Sequence, residues 1–267
     1  MPVKEDVPTV TREDIARGLV ALGLKRGDCV VAHSSLSSLG YVERGPAAVV
    51  DAVIDAIGPD GTAVFPTYCG SRRKDLSAPI EDSITTGAIP KDARSRDDFL
   101  KGVHPFYSIC AKGPLAAELI ELNDRFIFPA GERKFLYRMS EHGGKVLLLG
   151  VGHDSNSSIH LVEELGSLEY KVQDKPFWSL GVKEFLALPG ERRLELLRAH
   201  RGEGLPYGTA YHFDAMDAVL RRRGLISVAR VGAAECRLMT IADIVRVGLE
   251  EVKRDPWFLR SKVRSTS

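Results

Sequence analysis

The residues with the greatest chemical reach lie in one stretch, Lys145 to Glu164, KVLLLGVGHDSNSSIHLVEE. An apolar run ends in a glycine-containing turn, small polar residues follow, and His160 comes next with Glu163 and Glu164 beyond it. Val146–Val151 lacks polar alternation, which predicts a strand buried on both faces of a sheet. Asn156, Ser157 or Ser158 can cap a following helix, because their side chains accept from its orphan N–H groups. In that helix His160 occupies the first turn, with Glu163 at i+3 and Glu164 at i+4 on the same face. A carboxylate beside an imidazole fixes the ring and favours its charged form, so His160 and Glu163 make a competent general base. The same spacing also suits a first-turn histidine among helix-surface carboxylates. The position, just past a strand's carboxyl end, is where open α/β sheets bind ligands.

Two further clusters could meet a ligand. HSSLSSLG comprises His33, Ser34, Ser35, Leu36, Ser37, Ser38, Leu39 and Gly40. It offers hydroxyls and backbone N–H groups in a tight space, as a diphosphate or an amide-bearing chain requires. It lacks the lysine and GxxxxGK spacing of a P-loop, and a polar strand-to-helix turn would read the same way. His104-Pro105, with Ser108 beyond, can position a ligand or satisfy loop backbone. His33, His104, His153 and His160 are irregularly spaced and H-E-x-x-H is missing, so no metal is expected. His160-x-x-Glu163 resembles half of a bundle di-metal motif, which needs a second copy on another helix; none is present. No G-x-S-x-G elbow marks a serine hydrolase.

The elements that must position these residues alternate between helix and strand. Thr11 caps an amphipathic helix through Leu22, with Ile15, Leu19 and Leu22 on one face. Cys29–Ala32 is a short strand, and Pro46 opens a helix in which Val49, Val53 and Ile57 recur. Gly58-Pro59-Asp60-Gly61 turns into a strand at Thr62–Pro66, so a parallel pair with a crossover helix is expected. Thr67–Arg96 has weak periodicity and is expected as a loop over one end of the sheet. Pro114 opens a helix through Leu122. Gln173–Thr209 is irregular, with one charged helix near Glu191–His200. Phe213–Arg223 is helical and ends at Gly224, Leu225–Leu238 forms strands, and Thr240–Val252 is a last amphipathic helix. The pattern is α/β, one compact unit.

Composition removes several function classes. The 267 residues carry 37 basic and 36 acidic side chains, so bulk nucleic-acid binding is not expected. No apolar run reaches the roughly 18 residues of a membrane span. The polar start, MPVKEDVPTVTRED, lacks a signal-peptide core, and a cytoplasmic location is expected. Cys29, Cys69, Cys110 and Cys236 stand far apart and read as reduced, buried thiols.

Taken in order, HSSLSSLG, GPDGTAVFPT at Gly58–Thr67, TGAIP at Thr86–Pro90, HPFYS at His104–Ser108, LLLGVGHDSNSSIHLVEE and VGAAECRLMTIADIV form a series. From about Thr11 to Leu259 it resembles the aminoglycoside 3-N-acetyltransferase family. The resemblance implies a single acetyltransferase domain, 1–267 with its core at about 11–259, built on a mixed, largely parallel central sheet flanked by helices. It implies acetyl transfer from acetyl-coenzyme A, as co-substrate, to the amine of an aminoglycoside or related amino sugar. His33–Gly40 would hold the pantetheine and diphosphate together with Val42 and Thr67, and His104, Pro105 and Ser108 would line the same cleft. His160 would be the base and Glu163 its orienting carboxylate. Ser157, where the family usually has threonine, would meet the oxyanion, with backbone N–H groups at the helix start as the alternative. Tyr68, Asp154, Asn156 and Glu164 are expected at the acceptor. No metal, nucleic acid or membrane is expected, and the chain would act as a monomer or homodimer.

The chain departs from the family in a short segment after Pro66-Thr67 that carries Arg72, Arg73 and Lys74, and in its balanced charge. Lys101 stands where an arginine often precedes the HP pair. A basic loop opposes a polycation and suits phosphate, either the 3′-phosphate of coenzyme A or an acceptor such as an amino-nucleotide; a solvated charge run is the alternative. A non-catalytic coenzyme A-binding protein on the same fold and a metal-dependent hydrolase are the competing readings.

Overall fold

The computed structural model describes residues 9–69, 79–127, 134–168, 170, 180–201 and 209–262. β1 (Thr9–Val10) precedes α1 (Arg12–Leu22), which is closed by a reciprocal capping box between Thr11 and Asp14. β2 (Cys29–Ser34) passes through a 3-10 turn to β3 (Tyr41–Val42), α2 (Pro46–Ile57) and β4 (Thr62–Pro66). Next come α3 (Ile80–Ser83), α4 (Ala88–Ser95), β5 (Leu100–Lys101), β6 (Ile109–Lys112), α5 (Ala116–Arg125) and α6 (Phe135–Glu141). β7 (Lys145–Leu149) leads to α7 (Ile159–Leu165), then α8 (Val182–Ala187) and α9 (Gly190–Arg201). The chain continues with β8 (Thr209–Tyr211), α10 (Ala215–Arg222), the hairpin β9 (Ser227–Val231) and β10 (Ala234–Thr240), α11 (Ile241–Arg254) and β11 (Arg260–Lys262).

Seven strands form the central sheet in the order β5-β6-β4-β2-β7-β10-β9. The sheet is mixed. Its centre, β4, β2 and β7, is parallel, and the flanking strands pair antiparallel, so the parallel character expected from the sequence belongs to the middle of the sheet. β2 and β7 are buried on both faces, which is why they read as unbroken apolar runs. Val30, Ala32, Leu147 and Leu149 pack beneath α1 and α2, and Val31, Val146 and Leu148 pack with α6, α7 and α11. A third cluster, around Phe106, Ile127, Val182 and Phe185, supports the loop before β6. β8 and β11 pair as a separate two-stranded sheet.

Two expectations need correction. Thr67–Arg96 is not a plain loop, since α3 and α4 lie within it. The inward face of α4 includes Arg94, 5% exposed, beside Ile89, Pro90 and Ala93, so its periodicity is hidden by a buried charge. That charge is satisfied by Glu81 at 2.7 Å, the Gly102 carbonyl and Ser108. Gln173–Thr209 holds a second helix, α8, which buries Val182 and Phe185. The basic cluster at Arg72, Arg73 and Lys74 lies outside the described residues. Among the described residues no helix is long and apolar enough to cross a membrane.

α7, the helix that carries His160 and Glu163, is held against the sheet by α11 at Gly248. A Cβ on Gly248 would overlap both methyl groups of Val162, whose β-branch allows little relief. Gly248→Ala is therefore expected to cost about 1–3 kcal/mol by overpacking, a fall in Tm of about 3–10 °C. Calorimetry of the variant checks this, and an unchanged Tm would show that the two helices part without cost.

Candidate active site

Alternation along β2 sends consecutive residues to opposite faces of the sheet. Ser34 faces an open cleft of about 600 Å³ at the carboxyl ends of β2 and β4. Ser34–Ser37, Gly40–Val42 and Gly45 form one wall, and Thr85–Ala88 the other. The second wall hangs from β4: Thr86 Oγ1 donates to the Pro66 carbonyl (2.7 Å) and the Thr85 N–H to that of Tyr68 (2.8 Å). The first is stitched to β7 by the Ser35 N–H donating to the Leu149 carbonyl at 2.9 Å. The Ser38 hydroxyl donates to Ser35 Oγ at 2.9 Å. Gly40, at φ +90° and ψ −153°, takes a conformation closed to side-chain-bearing residues.

Several residues expected to touch a cofactor here are placed otherwise. Leu39 is fully buried in the core and anchors the loop, and Ser38 lines a neighbouring cleft beside Gly150 and Gly152. His104 and Ser108 are fully buried and Pro105 is buried with them. His104 Nδ1 accepts from the N–H groups of Phe106 (3.1 Å) and Tyr107 (2.9 Å), so Nε2 carries the proton and donates to the Ile127 carbonyl (3.0 Å). The Ser108 hydroxyl donates to the Gly102 carbonyl at 2.8 Å. These residues build the loop from inside, their polar atoms taken up by its backbone. Thr67 is likewise fully buried, its N–H bonded to the Ser108 carbonyl.

His33 points the other way from Ser34. Its Nε2 lies 3.3 Å from Ser157 Oγ, which also accepts from the Tyr68 hydroxyl at 3.3 Å. Burial lowers the His33 pKa to about 4 and raises that of Tyr68 to about 12, so the imidazole is neutral and the phenol keeps its proton. The Ser157 carbonyl accepts the His160 N–H at 3.2 Å, which ties the two residues into one turn. His160, with 29% of its side chain exposed, makes a 2.6 Å hydrogen bond from Nδ1 to Glu163 Oε2. Glu163 is fully buried, and its Oε1 accepts from Arg260 Nη2 at 2.9 Å. A carboxylate held by a guanidinium is ionised and can only accept, so His160 Nδ1 carries the proton of this hydrogen bond. The rings of Tyr211 and Phe213 stand edge-on to the imidazole at 5.5 and 5.1 Å.

The residues expected at the acceptor divide. Tyr68 borders Ser157, and Asp154 is exposed. Asn156 is buried and organises the turn: its Oδ1 accepts the Ser158 N–H at 3.0 Å and its amide lies 3.3 Å from His153. Of the three cap candidates it is the one whose side chain takes a helix-start N–H; Ser158 occupies the cap position without doing so. Glu164 is paired with Lys134 at 2.7 Å. Sequence reasoning missed Arg260, Tyr211, Phe213 and the Thr85–Ala88 wall. The only local signal was the aromatic run Tyr211-His212-Phe213 and the TGAIP motif. Among the described residues no group of three or more His, Cys, Asp or Glu could hold a metal ion.

The sequence profile of the family described as aminoglycoside 3-N-acetyltransferase matches residues 31–253. Aminoglycoside N(3)-acetyltransferase VIII of Streptomyces fradiae is 30% identical over 275 residues, covering 91% of this chain and 92% of that protein. Aminoglycoside N(3)-acetyltransferase IV of a Salmonella species is 29% identical over 244 residues, covering 89% and 85%. The crystal structure of aminoglycoside acetyltransferase AAC(3)-IVa superposes with a TM-score of 0.72 at 24% identity, covering 95% of this chain and 92% of that one, which speaks to the fold.

Burial holds His33, His104 and His153 neutral, each with its pKa lowered to about 4. In the unfolded chain each takes up a proton below about pH 6.5, whereas in the folded chain each resists until about pH 4. The unfolded state binds more protons across that interval, so stability present above pH 6.5 is lost as pH falls toward 4. The urea midpoint is expected to drop steadily between measurements at about pH 7, 5.5 and 4.5. A midpoint that stayed level would mean the three rings are hydrated.

Proposed function

This chain belongs to the aminoglycoside 3-N-acetyltransferase family, and on that premise we propose that it moves an acetyl group from acetyl-coenzyme A to a primary amine of an aminoglycoside or related amino sugar. Transfer is direct, within a ternary complex, on one acetyltransferase domain. The observation that carries this reading is the His160–Glu163 hydrogen bond at 2.6 Å, with the carboxylate sealed and the imidazole part-exposed.

The cleft between Ser34–Gly45 and Thr85–Ala88 suits the pantetheine and diphosphate arm. Ser34 Oγ is buried there with no hydrogen-bond partner among the described residues, a hydroxyl suited to a ligand acceptor or amide. Gly45, in the cleft wall, opens the 12-residue α2 with no side-chain cap, so the positive end of that helix dipole faces the same space and favours an anion.

The acceptor attacks the thioester carbonyl as the neutral amine, since an ammonium has no lone pair, and His160 Nε2 takes the nitrogen's proton as the C–N bond forms. Glu163 holds the ring and stabilises the imidazolium that forms. Ser157 meets the developing oxyanion: Tyr68 donates to Oγ, His33 donates from Nε2 in its neutral tautomer, and the serine hydrogen is turned toward the carbonyl oxygen. As the new C–N bond completes, the C–S bond breaks and His160 returns its proton to the departing thiolate. The thioester is already activated, so alignment of the two substrates supplies much of the remaining acceleration.

Thiol release from acetyl-coenzyme A across a panel of aminoglycosides and amino sugars tests the reading. His160→Ala is expected to lose about 10²–10⁴ of the turnover. Ser157→Ala should lose about 10²-fold, with Ser157→Thr restoring it. Full activity in His160→Ala would remove the base assignment. Thermal stabilisation by coenzyme A with no thiol release on any amine would make the chain a binding protein without catalysis.

A further inference from the structure

Glu163 has a second partner that none of its sequence neighbours supplies. Arg260, at the start of β11, reaches across to the α7 carboxylate with Nη2 2.9 Å from Oε1, while His160 Nδ1 takes Oε2 at 2.6 Å. Only 2% of the arginine side chain and none of the glutamate side chain is exposed. The guanidinium is clamped between two rings, its Cζ 4.4 Å from the Tyr170 centroid and 4.1 Å from that of Tyr211. Tyr211 is also the ring edge-on to His160 at 5.5 Å, and it is the β8 residue paired with Arg260 in the β8–β11 ladder. One small sheet therefore holds the cation, stacks it and walls the imidazole. Both residues lie in segments the sequence left unassigned, and Arg260 lies past residue 253, where the family profile stops matching.

We infer that Arg260 is a positioning residue for the reaction: it fixes the Glu163 carboxylate against His160, so that the C-terminal strand β11 completes the active site. This rests on the reading of His160 as the base. The chemistry is that of a charge relay held still. Without the guanidinium the buried Glu163 carboxylate would draw the proton more strongly onto the imidazole. With Arg260 in place the carboxylate is balanced, orients Nδ1, and leaves Nε2 able to cycle its proton. Among the described residues Glu164, the next carboxylate on α7, is paired with Lys134 at 2.7 Å. α11 meets α7 through apolar contact at Val162 and Gly248, and Phe213 adds an apolar edge. Among the described residues Tyr170 and Tyr211 also face the site, and burial raises both, so they stay neutral at working pH.

The test is the titration of His160 in full-length, histidine-labelled protein by NMR, with its resonance among the seven histidines assigned through His160→Ala. Arg260→Gln, which removes the cation, is expected to raise the His160 midpoint by about one unit. The acid limb of kcat/KM should move up with it, and kcat should fall by up to about 100-fold. KM for acetyl-coenzyme A should stay level. Arg260→Lys, which keeps a cation but not the fork, should leave the midpoint nearly in place while kcat still falls. A midpoint unmoved in Arg260→Gln, or moved equally in Arg260→Lys, overturns the inference. Should Arg260→Gln fail to fold, the Glu163 carboxyl carbon of the wild-type chain decides: it is expected to titrate below the range of an exposed glutamate, and titration above that range would show that no cation governs it. Loss of the shift with turnover intact removes the role of Arg260 alone, and the shift in a chain that acetylates no amine removes the acetyl-transfer reading alone.

Discussion

A carboxylate with no exposed surface sits at the centre of this molecule, and the surrounding architecture answers to it. Burying an ionised group costs several kcal/mol unless its oxygens are taken up by charged or hydrogen-bonding partners. Glu163 has His160 on one oxygen at 2.6 Å and Arg260 on the other at 2.9 Å. To bring both partners to one carboxylate, the chain packs α7 on the sheet through Ile159, Leu161 and Val162 and returns its C-terminal segment as β11. Tyr211 then serves two neighbours, the guanidinium and the imidazole.

The sheet performs a second sorting by the period of two along a strand. His33 and Ser34 are adjacent in sequence, yet one reaches Ser157 and the other the open cleft. A register slip of one residue in β2 would exchange them, placing a hydroxyl where the neutral imidazole supports Ser157. The apolar residues preceding them, Val30, Val31 and Ala32, are all fully buried, which pins that register from both faces. Because β2, β4 and β7 run parallel, the carboxyl ends of all three converge on one edge, and the cleft, Tyr68 and the turn bearing Ser157 start there. His33 at the end of β2 and Ser157 beyond β7, more than a hundred residues apart in sequence, are thereby brought within 3.3 Å of each other.

Where the sequence was legible, short-range physics set the outcome. The Thr11 cap, α2 from Pro46, the runs of β2, β4 and β7, and α11 behind Thr240 all announce themselves through capping, periodicity or unbroken apolarity. The His160–Glu163 pair was visible because a helix turn alone makes it. What could not be read was decided at long range. The inward face of α4 carries Arg94, whose partners come from α3, the loop before β6 and Ser108. His104 looked available because a proline fixed it, yet its nitrogens meet backbone groups of its own loop and of residue 127. Arg260 follows a tryptophan, a phenylalanine and a leucine with no local sign of purpose. Its role exists only once β11 has paired with β8.

The charges around His160 also bear on how the proposed base can work near neutral pH. A base must be largely neutral before it acts and stable once protonated, and a lone buried carboxylate serves only the second need. Here the carboxylate is shared with a guanidinium, so its pull on the imidazole proton is partly spent on Arg260. The apolar edges of Tyr211 and Phe213 desolvate the ring and oppose the charged form, while 29% exposure leaves it a route to solvent and substrate. The second carboxylate of the pair, Glu164, is likewise taken up by Lys134 and adds little net field. Orientation thus comes from the 2.6 Å hydrogen bond, while Arg260 offsets the carboxylate charge that would otherwise hold the proton on the ring. That separation lets one histidine be held rigidly and still give its proton back.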